Sequence, residues 1–432
     1  MEIKQITEQN PWWGNKERIA EDEKVIEGSS KKHPVKYDFP EENTLIIGPR
    51  QVGKTTYLKL FVKHLIEKGI DPKRILYFSC DMIRDFEEIS EIVRFSDQQI
   101  DGRKYILLDE VTFVEGWQRS IKYLLDSALG KDKVLYVTGS SSIALKKETF
   151  PGRVIKTRNF LPLTFKEFCA VFGSESLRTE LTKADFSPAG INQIAKKLTF
   201  HFSEIERHFN NYLKCGGFPR SIYEFVENGK IRDETYEIYW KWIVSDIAKA
   251  GKSGRTTESV LQGVLKNYGT RYSMNSIAKE MEIGSHVTVR DYLEFLEDLF
   301  VARNIFPREP GRETASFRRM RKTYFIDPFL YHVFKKQLTK TETDENDIPC
   351  LIEGIVAEKL IRDHGQVSYY CQHKEVDFYL GDTGIELKWQ KNVNKRDFKA
   401  QFKNRILLSR TDFEFFEQEN LLIIPTPVFL LI

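Results

Sequence analysis

Thr44-Leu45-Ile46-Ile47-Gly48-Pro49-Arg50-Gln51-Val52-Gly53-Lys54-Thr55-Thr56 decides the fold. Its first four residues read as a buried strand, and from Lys54 onward the apolar positions Leu58, Phe61, Val62 and Leu65 recur at helical spacing. Between strand and helix lies the pattern G-x-x-x-x-G-K-[ST]. Such a loop suits a phosphate chain, because glycines let the backbone wrap an anion and the open N–H groups of the helix start face it. Gly48, Pro49, Arg50, Gln51, Val52, Gly53, Lys54, Thr55 and Thr56 are therefore the expected nucleotide contacts. Lys54 would neutralise the β- and γ-phosphate oxygens and the Thr55 hydroxyl would ligate Mg²⁺, so ATP and Mg²⁺ are expected.

Working outward, three more short apolar runs follow: Ile75-Leu76-Tyr77-Phe78, Tyr105-Ile106-Leu107-Leu108 and Val134-Leu135-Tyr136-Val137. Helical stretches separate them, which predicts an α/β fold with a parallel sheet covered on both faces. The second run ends in Asp109-Glu110, where Asp109 is expected to hold Mg²⁺ through water and Glu110 to polarise the attacking water. The third ends in Thr138-Gly139-Ser140-Ser141; Ser140, with Thr138 as the alternative, is the expected sensor of the γ-phosphate.

A length of 432 residues argues for about three domains. Apolar residues at 41% and charged residues at 30% exclude wholesale disorder, collagen-like repeats and a disulfide scaffold. The net charge of +3 does not announce nucleic acid, so a DNA-binding surface would have to come from local clustering. Five cysteines without a C-x-x-C pair argue against zinc ribbons and an oxidising compartment. The first ten residues hold no apolar signal core, and Pro425 and Pro427 break the longest apolar tract. A cytoplasmic location is the expectation.

Residues 165–250 are helical and aromatic, interrupted by Gly216-Gly217-Phe218-Pro219. Ser276–Met281 and Val287–Leu299, parted near Gly284, fit a helix-turn-helix with a following strand pair. His286, Thr288 and Arg290 occupy positions that reach bases in DNA-binding versions, but Glu294, Glu297 and Asp298 on the same helix favour a packing role. Arg308, Arg312, Arg318, Arg319, Arg321 and Lys322, with Phe317 and Tyr324 interleaved, form the footprint expected for phosphate-backbone contacts. Trp12 and Trp13 read as the anchor of a terminal arm.

Further on, Glu375-Val376-Asp377-Phe378 and Ile385-Glu386-Leu387-Lys388 alternate polar with apolar around a turn at 381–384. A hairpin would bring Asp377, Glu386 and Lys388 together. Two carboxylates there could bind Mg²⁺ with Lys388 as a catalytic lysine, and Glu353 on the preceding helix could add a metal oxygen.

GPRQVGKTT, LLDEVTFVEGW, VTGSSS, GRVIKTRNFLPLTFKEF and YLKCGGFPR, in that order and after Asn10-Pro11-Trp12-Trp13, resemble the AAA+ ATPase superfamily. More closely, the chain resembles archaeal and bacterial ATPases that carry a C-terminal PD-(D/E)XK nuclease-like domain. The resemblance implies an N-terminal arm (1–35), an ATPase core (36–165), a helical lid (166–253), a winged-helix-like domain with a basic hairpin (254–326) and a nuclease-like α/β domain (327–432). By the same resemblance Gly217 and Pro219 lie against the nucleotide base, and Arg153 is the arginine finger, with Arg158 and Arg119 competing for that role. The implied activity is ATP-driven DNA processing by a ring-shaped homo-oligomer, with branched DNA such as a Holliday junction as the substrate suggested by analogy. Two other readings stay open: a nucleotide-gated nuclease switch in defence, and a protein-remodelling ATPase whose C-terminal fold is a non-catalytic binding module. Whether the C-terminal domain cleaves is left open by the residues.

Overall fold

Short apolar strands joined through helices close into a parallel sheet, as the sequence predicts. A computed structural model describes residues 3–29, 37–83, 85–140, 150, 152–308, 320–371 and 374–432. The chain divides into one unit of Met1–Leu161 with Asp298–Phe300 and a second of Pro162–Glu297 with Val301–Ile432. No described helix is long and apolar enough to cross a membrane.

In the first unit, β1 (Thr44–Ile47), β2 (Ile75–Ser79), β3 (Lys104–Asp109), β4 (Lys133–Gly139) and β5 (Lys156–Asn159) lie in the order β2-β3-β4-β1-β5. Every neighbouring pair is parallel. The helices are α1 (Ile3–Gln9), α2 (Glu23–Ser29), α3 (Lys54–Glu67), α4 (Phe86–Asp97) and α5 (Trp117–Asp126). Leu58, Phe61, Val62 and Leu65 on α3 are fully buried in one cluster with Ile46, Tyr105 and Tyr136, and the Phe61 and Tyr136 rings lie 4.6 Å apart. Burying each such side chain contributes about 1.5–3 kcal/mol, which holds the helix against the sheet. β5 carries no apolar signature, because three of its four residues are exposed at the sheet edge.

The opposite edge is β2, and an open edge invites pairing with another chain. Here side chains of the N-terminal arm cover it. Gln9 accepts from Ser79 N at 2.7 Å, and Asn10 both accepts from Tyr77 N (2.7 Å) and donates to Tyr77 O (2.8 Å). The indoles of Trp12 and Trp13 donate to Ile75 O at 3.1 and 2.8 Å. Positions 75, 77 and 79 are the alternate residues whose backbone groups face away from β3, so one short segment pairs four backbone groups along this edge. Asn10→Ala would leave two buried backbone groups of Tyr77 unpaired at a cost of about 2–3 kcal/mol. The expected result is a thermal midpoint lower by about 4–10 °C; an unchanged midpoint would remove the edge-covering role.

The second unit combines helices with an eight-stranded mixed sheet. Its strands are β6 (Ala302–Arg308), β7 (Lys322–Phe325), β8 (Ser368–Cys371), β9 (Glu375–Leu380), β10 (Thr383–Leu387), β11 (Asn404–Ser409), β12 (Glu414–Phe416) and β13 (Leu421–Pro425). They run in the order β12-β13-β11-β10-β9-β8-β6-β7. Three helices, Gly254–Lys266, Met274–Glu280 and His286–Asp298, precede the antiparallel pair β6–β7. That pair continues into the C-terminal strands, because β6 runs parallel to β8. The helix Ile348–His364 is tied to β6 through buried Glu358, which binds Arg303 at 2.9 Å and Arg362 at 2.7 Å.

Candidate functional site

The glycine loop follows the carboxyl end of β1, beside the ends of β3 and β4. Gly48 N donates to Gly139 O at 3.3 Å, and a Cβ at Gly48 would collide with the Phe160 carbonyl. Gln51 (φ 65°) and Gly53 (φ 91°) take left-handed conformations that fold the loop back toward α3. Gly53 precedes α3 and has no side chain to cap it, which leaves the helix start to the glycine loop itself. Pro49, Val52 and Thr56 are buried, and the Arg50 guanidinium lies 4.7 Å from the Phe113 ring. Lys54, only 4% exposed, donates to the carbonyls of Gly48 and Pro49, both at 2.9 Å.

Asp109 and Glu110 are sequence neighbours, and a continuing strand would point them to opposite faces. A left-handed turn at Glu110 (φ 54°) ends that alternation and brings both carboxylates to the loop. Thr55 Oγ1 donates to Asp109 Oδ2 at 2.7 Å, and Glu110 Oε1 lies 3.7 Å from Lys54 Nζ. Behind them, Tyr77 OH donates to Asp109 Oδ2 at 3.0 Å, Thr138 donates to Asp109 Oδ1, and Glu110 N donates to Thr138 Oγ1 at 2.9 Å. Ser140 donates to Glu110 Oε2. Both sensor candidates are thus engaged: Ser140 holds Glu110, whereas Thr138 supports Asp109. The sequence did not point to Tyr77, which sits on the neighbouring strand β2, one of the few signals a register argument could have supplied.

Asp109 is 2% exposed, and burial, reinforced by the charge of Glu110, raises its pKa. A buried carboxylate surrounded by hydroxyl donors is short of positive charge, and the donor set of Thr55, Asp109 and Glu110 is oxygen throughout. Both features fit Mg²⁺, a hard cation.

Arg153 is bound to Asp126 through Nε at 2.8 and 3.0 Å and through Nη2, while Arg158 donates to Asp38 at 2.8 and 2.9 Å. Arg119 is exposed, 5.6 Å from the Phe86 ring. In the second unit, Gly217 N donates to Asp327 Oδ2 at 2.7 Å, Gly217 O accepts from Leu163 N at 2.8 Å, and Pro219 starts the helix Pro219–Asn228. Burial pushes the Asp327 carboxyl up to about 7.

The hairpin β9–β10 forms as predicted, with Ile385 opposite Phe378. Lys388 Nζ lies 2.7 Å from Glu386 Oε1, and Leu387 N donates to Asp377 Oδ2 at 2.9 Å. Glu353 joins the cluster from its helix, but the predicted metal grouping of Glu353, Asp377 and Glu386 is not what the side chains build. Among the described residues no three His, Cys, Asp or Glu side chains are placed to hold a metal. Lys322 stands between them instead, 2.9 Å from Glu353 Oε1, 3.1 Å from Asp377 Oδ1 and 3.2 Å from Glu375 Oε1. Burial works against its ammonium, yet these carboxylates hold its pKa above the ordinary lysine value. Glu353 is pushed up to about 7 by burial and by Asp377, and Glu386 is raised by the same two causes.

This arrangement also corrects the basic footprint. Arg321 and Lys322 are each 2% exposed, so neither is available to a phosphate backbone. Arg321 lies 4.9 Å from the Phe306 ring. The period of extended chain explains both, since Lys322 and Tyr324 of β7 turn toward the carboxylates and Arg321, just before β7, turns the other way against an aromatic ring. Arg312, Phe317, Arg318, Arg319, Ser141 and Pro151 lie outside the described residues. Of the helix-turn-helix positions, His286 and Arg290 are exposed, and Arg290 is paired to Asp291 at 3.1 Å on its own helix.

Residues 41–169 match the family model of an AAA domain, and residues 206–343 match that of a domain of unknown function, DUF8612. The first match and the five-stranded parallel sheet establish a P-loop AAA+ core in an α/β protein. An uncharacterized protein of Methanocaldococcus jannaschii is 24% identical over 72% of this chain and 66% of its own length. Another from Haemophilus influenzae is 25% identical over 60% of each. The chain thus spans less than two thirds of the curated relatives it matches. Among solved structures, the Aeropyrum pernix Orc1 protein in complex with DNA is similar at 14% identity over 74% of this chain and 90% of that one, with a TM-score of 0.33. The Thermotoga maritima RuvB Holliday junction branch migration motor is similar at 12% identity over 70% and 88%, with a TM-score of 0.28.

Proposed function

We propose that this chain is an ATP-hydrolysing, DNA-acting machine that works as a ring-shaped homo-oligomer, with branched DNA as its preferred substrate. The observation that carries the hydrolytic part is the turn at Glu110, which sets two carboxylates against the Thr55 hydroxyl and the Lys54 ammonium of one phosphate loop. The phosphate chain of ATP would take Lys54 over from the Gly48 and Pro49 carbonyls, and the N-terminal end of α3 would face the same oxygens. Thr55 and Asp109 would hold Mg²⁺, which when bound supplies neutralisation of phosphate charge. Glu110 would draw a proton from the attacking water, with Ser140 fixing its carboxylate. Arg153 would serve as the finger by exchanging Asp126 for a neighbouring subunit's nucleotide, and Gly217 with Pro219 would line the base.

The DNA part is supported by the basic sequence run from Arg308 to Arg319 and by the family resemblance, and it has its own test. ATP turnover is measured alone and with duplex, single-stranded and four-way DNA. The expected result is stimulation, greatest with four-way DNA, and an affinity that falls with salt by a slope of about 0.9 per phosphate contact. Turnover indifferent to every DNA would sink this part while leaving the ATPase assignment standing.

A further inference from the structure

We infer that Lys322 takes the place of a divalent metal in the C-terminal carboxylate cluster, so that this domain holds no catalytic metal and does not cleave. An ammonium has three N–H donors, and Lys322 Nζ has three carboxylate oxygens, from Glu353, Asp377 and Glu375, within 3.2 Å. Mg²⁺ would need the same oxygens at about 2.0–2.1 Å. It cannot share their centre with a nitrogen 2.9 Å from Glu353 and 3.1 Å from Asp377.

Other donors also hold these carboxylates. Tyr324 OH donates to Glu353 Oε1 at 2.5 Å, Leu387 N to Asp377 Oδ2 at 2.9 Å, and Arg271 Nε lies 3.0 Å from Glu375 Oε2. Lys388 takes Glu386 Oε1 at 2.7 Å. Within this cluster Glu386 Oε2 is buried without a hydrogen-bond partner, and one oxygen does not make a metal site. Nor is Lys322 free to swing aside. It is 2% exposed, and its backbone is held in the β6–β7 ladder opposite Ile305. The cluster has the carboxylates of a metal centre and carries its counter-cation covalently.

This inference stands apart from the ATPase reading and is tested on the whole 432-residue chain free of nucleotide. Mn²⁺ is titrated and its free fraction followed by electron paramagnetic resonance. The parent protein should bind Mn²⁺ no more tightly than Asp377→Asn. Lys322→Ala, which strips the counter-cation from buried carboxylates, should gain a site at least about tenfold tighter, lost again in Lys322→Ala/Asp377→Asn. Parent Mn²⁺ binding that Asp377→Asn abolishes would overturn the inference, as would a folded Lys322→Ala or Lys322→Met that gains nothing. Should neither Lys322 variant fold, the comparison of parent with Asp377→Asn decides alone.

Discussion

Glu110→Gln should lower ATP turnover by about 10²–10⁴-fold while nucleotide still binds. Glutamine matches glutamate in shape, so an acceptor oxygen remains for the Ser140 hydroxyl and the left-handed turn at this position is unaffected. What disappears is the ability to take a proton from water. The expected signature is a protein that retains ATP and fails to release phosphate, measured by nucleotide retention beside a single-turnover assay. Asp109→Asn would differ in kind, because Asp109 meets Thr55, Thr138 and Tyr77 and its loss would weaken the metal-dependent part of binding. Turnover at the parent rate in Glu110→Gln would reassign the base.

Lys54→Ala should weaken ATP binding by at least about 100-fold. A charge-assisted hydrogen bond to phosphate contributes about 1.5–3 kcal/mol, and one ammonium serves more than one phosphate oxygen. The measurement is isothermal titration, with ATP-induced thermal stabilisation as a second readout, since a ligand that binds only the folded state raises the midpoint. Lys54 also satisfies the Gly48 and Pro49 carbonyls, so circular dichroism of the variant should be compared with that of the parent. Undiminished affinity in a folded Lys54→Ala would end the account of this loop as a triphosphate grip.

Much of the first unit was legible because its signals are local. β1, the glycine loop and the face of α3 are contiguous in the chain, and each obeys one periodicity. β5 was not legible, since Lys156, Thr157, Arg158 and Asn159 at a half-exposed edge carry no apolar pattern. The covering of β2 was foreshadowed by the paired tryptophans, but Gln9 and Asn10 act through hydrogen bonds whose partners lie about 70 residues away in sequence.

The sequence by itself determined the loop, its helix, and the acidic pair at the end of β3, because the chemistry of gripping phosphate imposes residue types at fixed spacing along a strand–loop–helix. Only the tertiary structure decided what Lys322 is. In the chain it belongs to a run of basic residues; in the fold, β7 lies in a sheet that turns it inward among Glu353, Glu375 and Asp377. Charge that looks like a solvated patch along one dimension became a buried counter-ion in three. The carboxylates that meet Lys322 come from a helix and a strand 31 to 55 residues away, and no local periodicity records that distance.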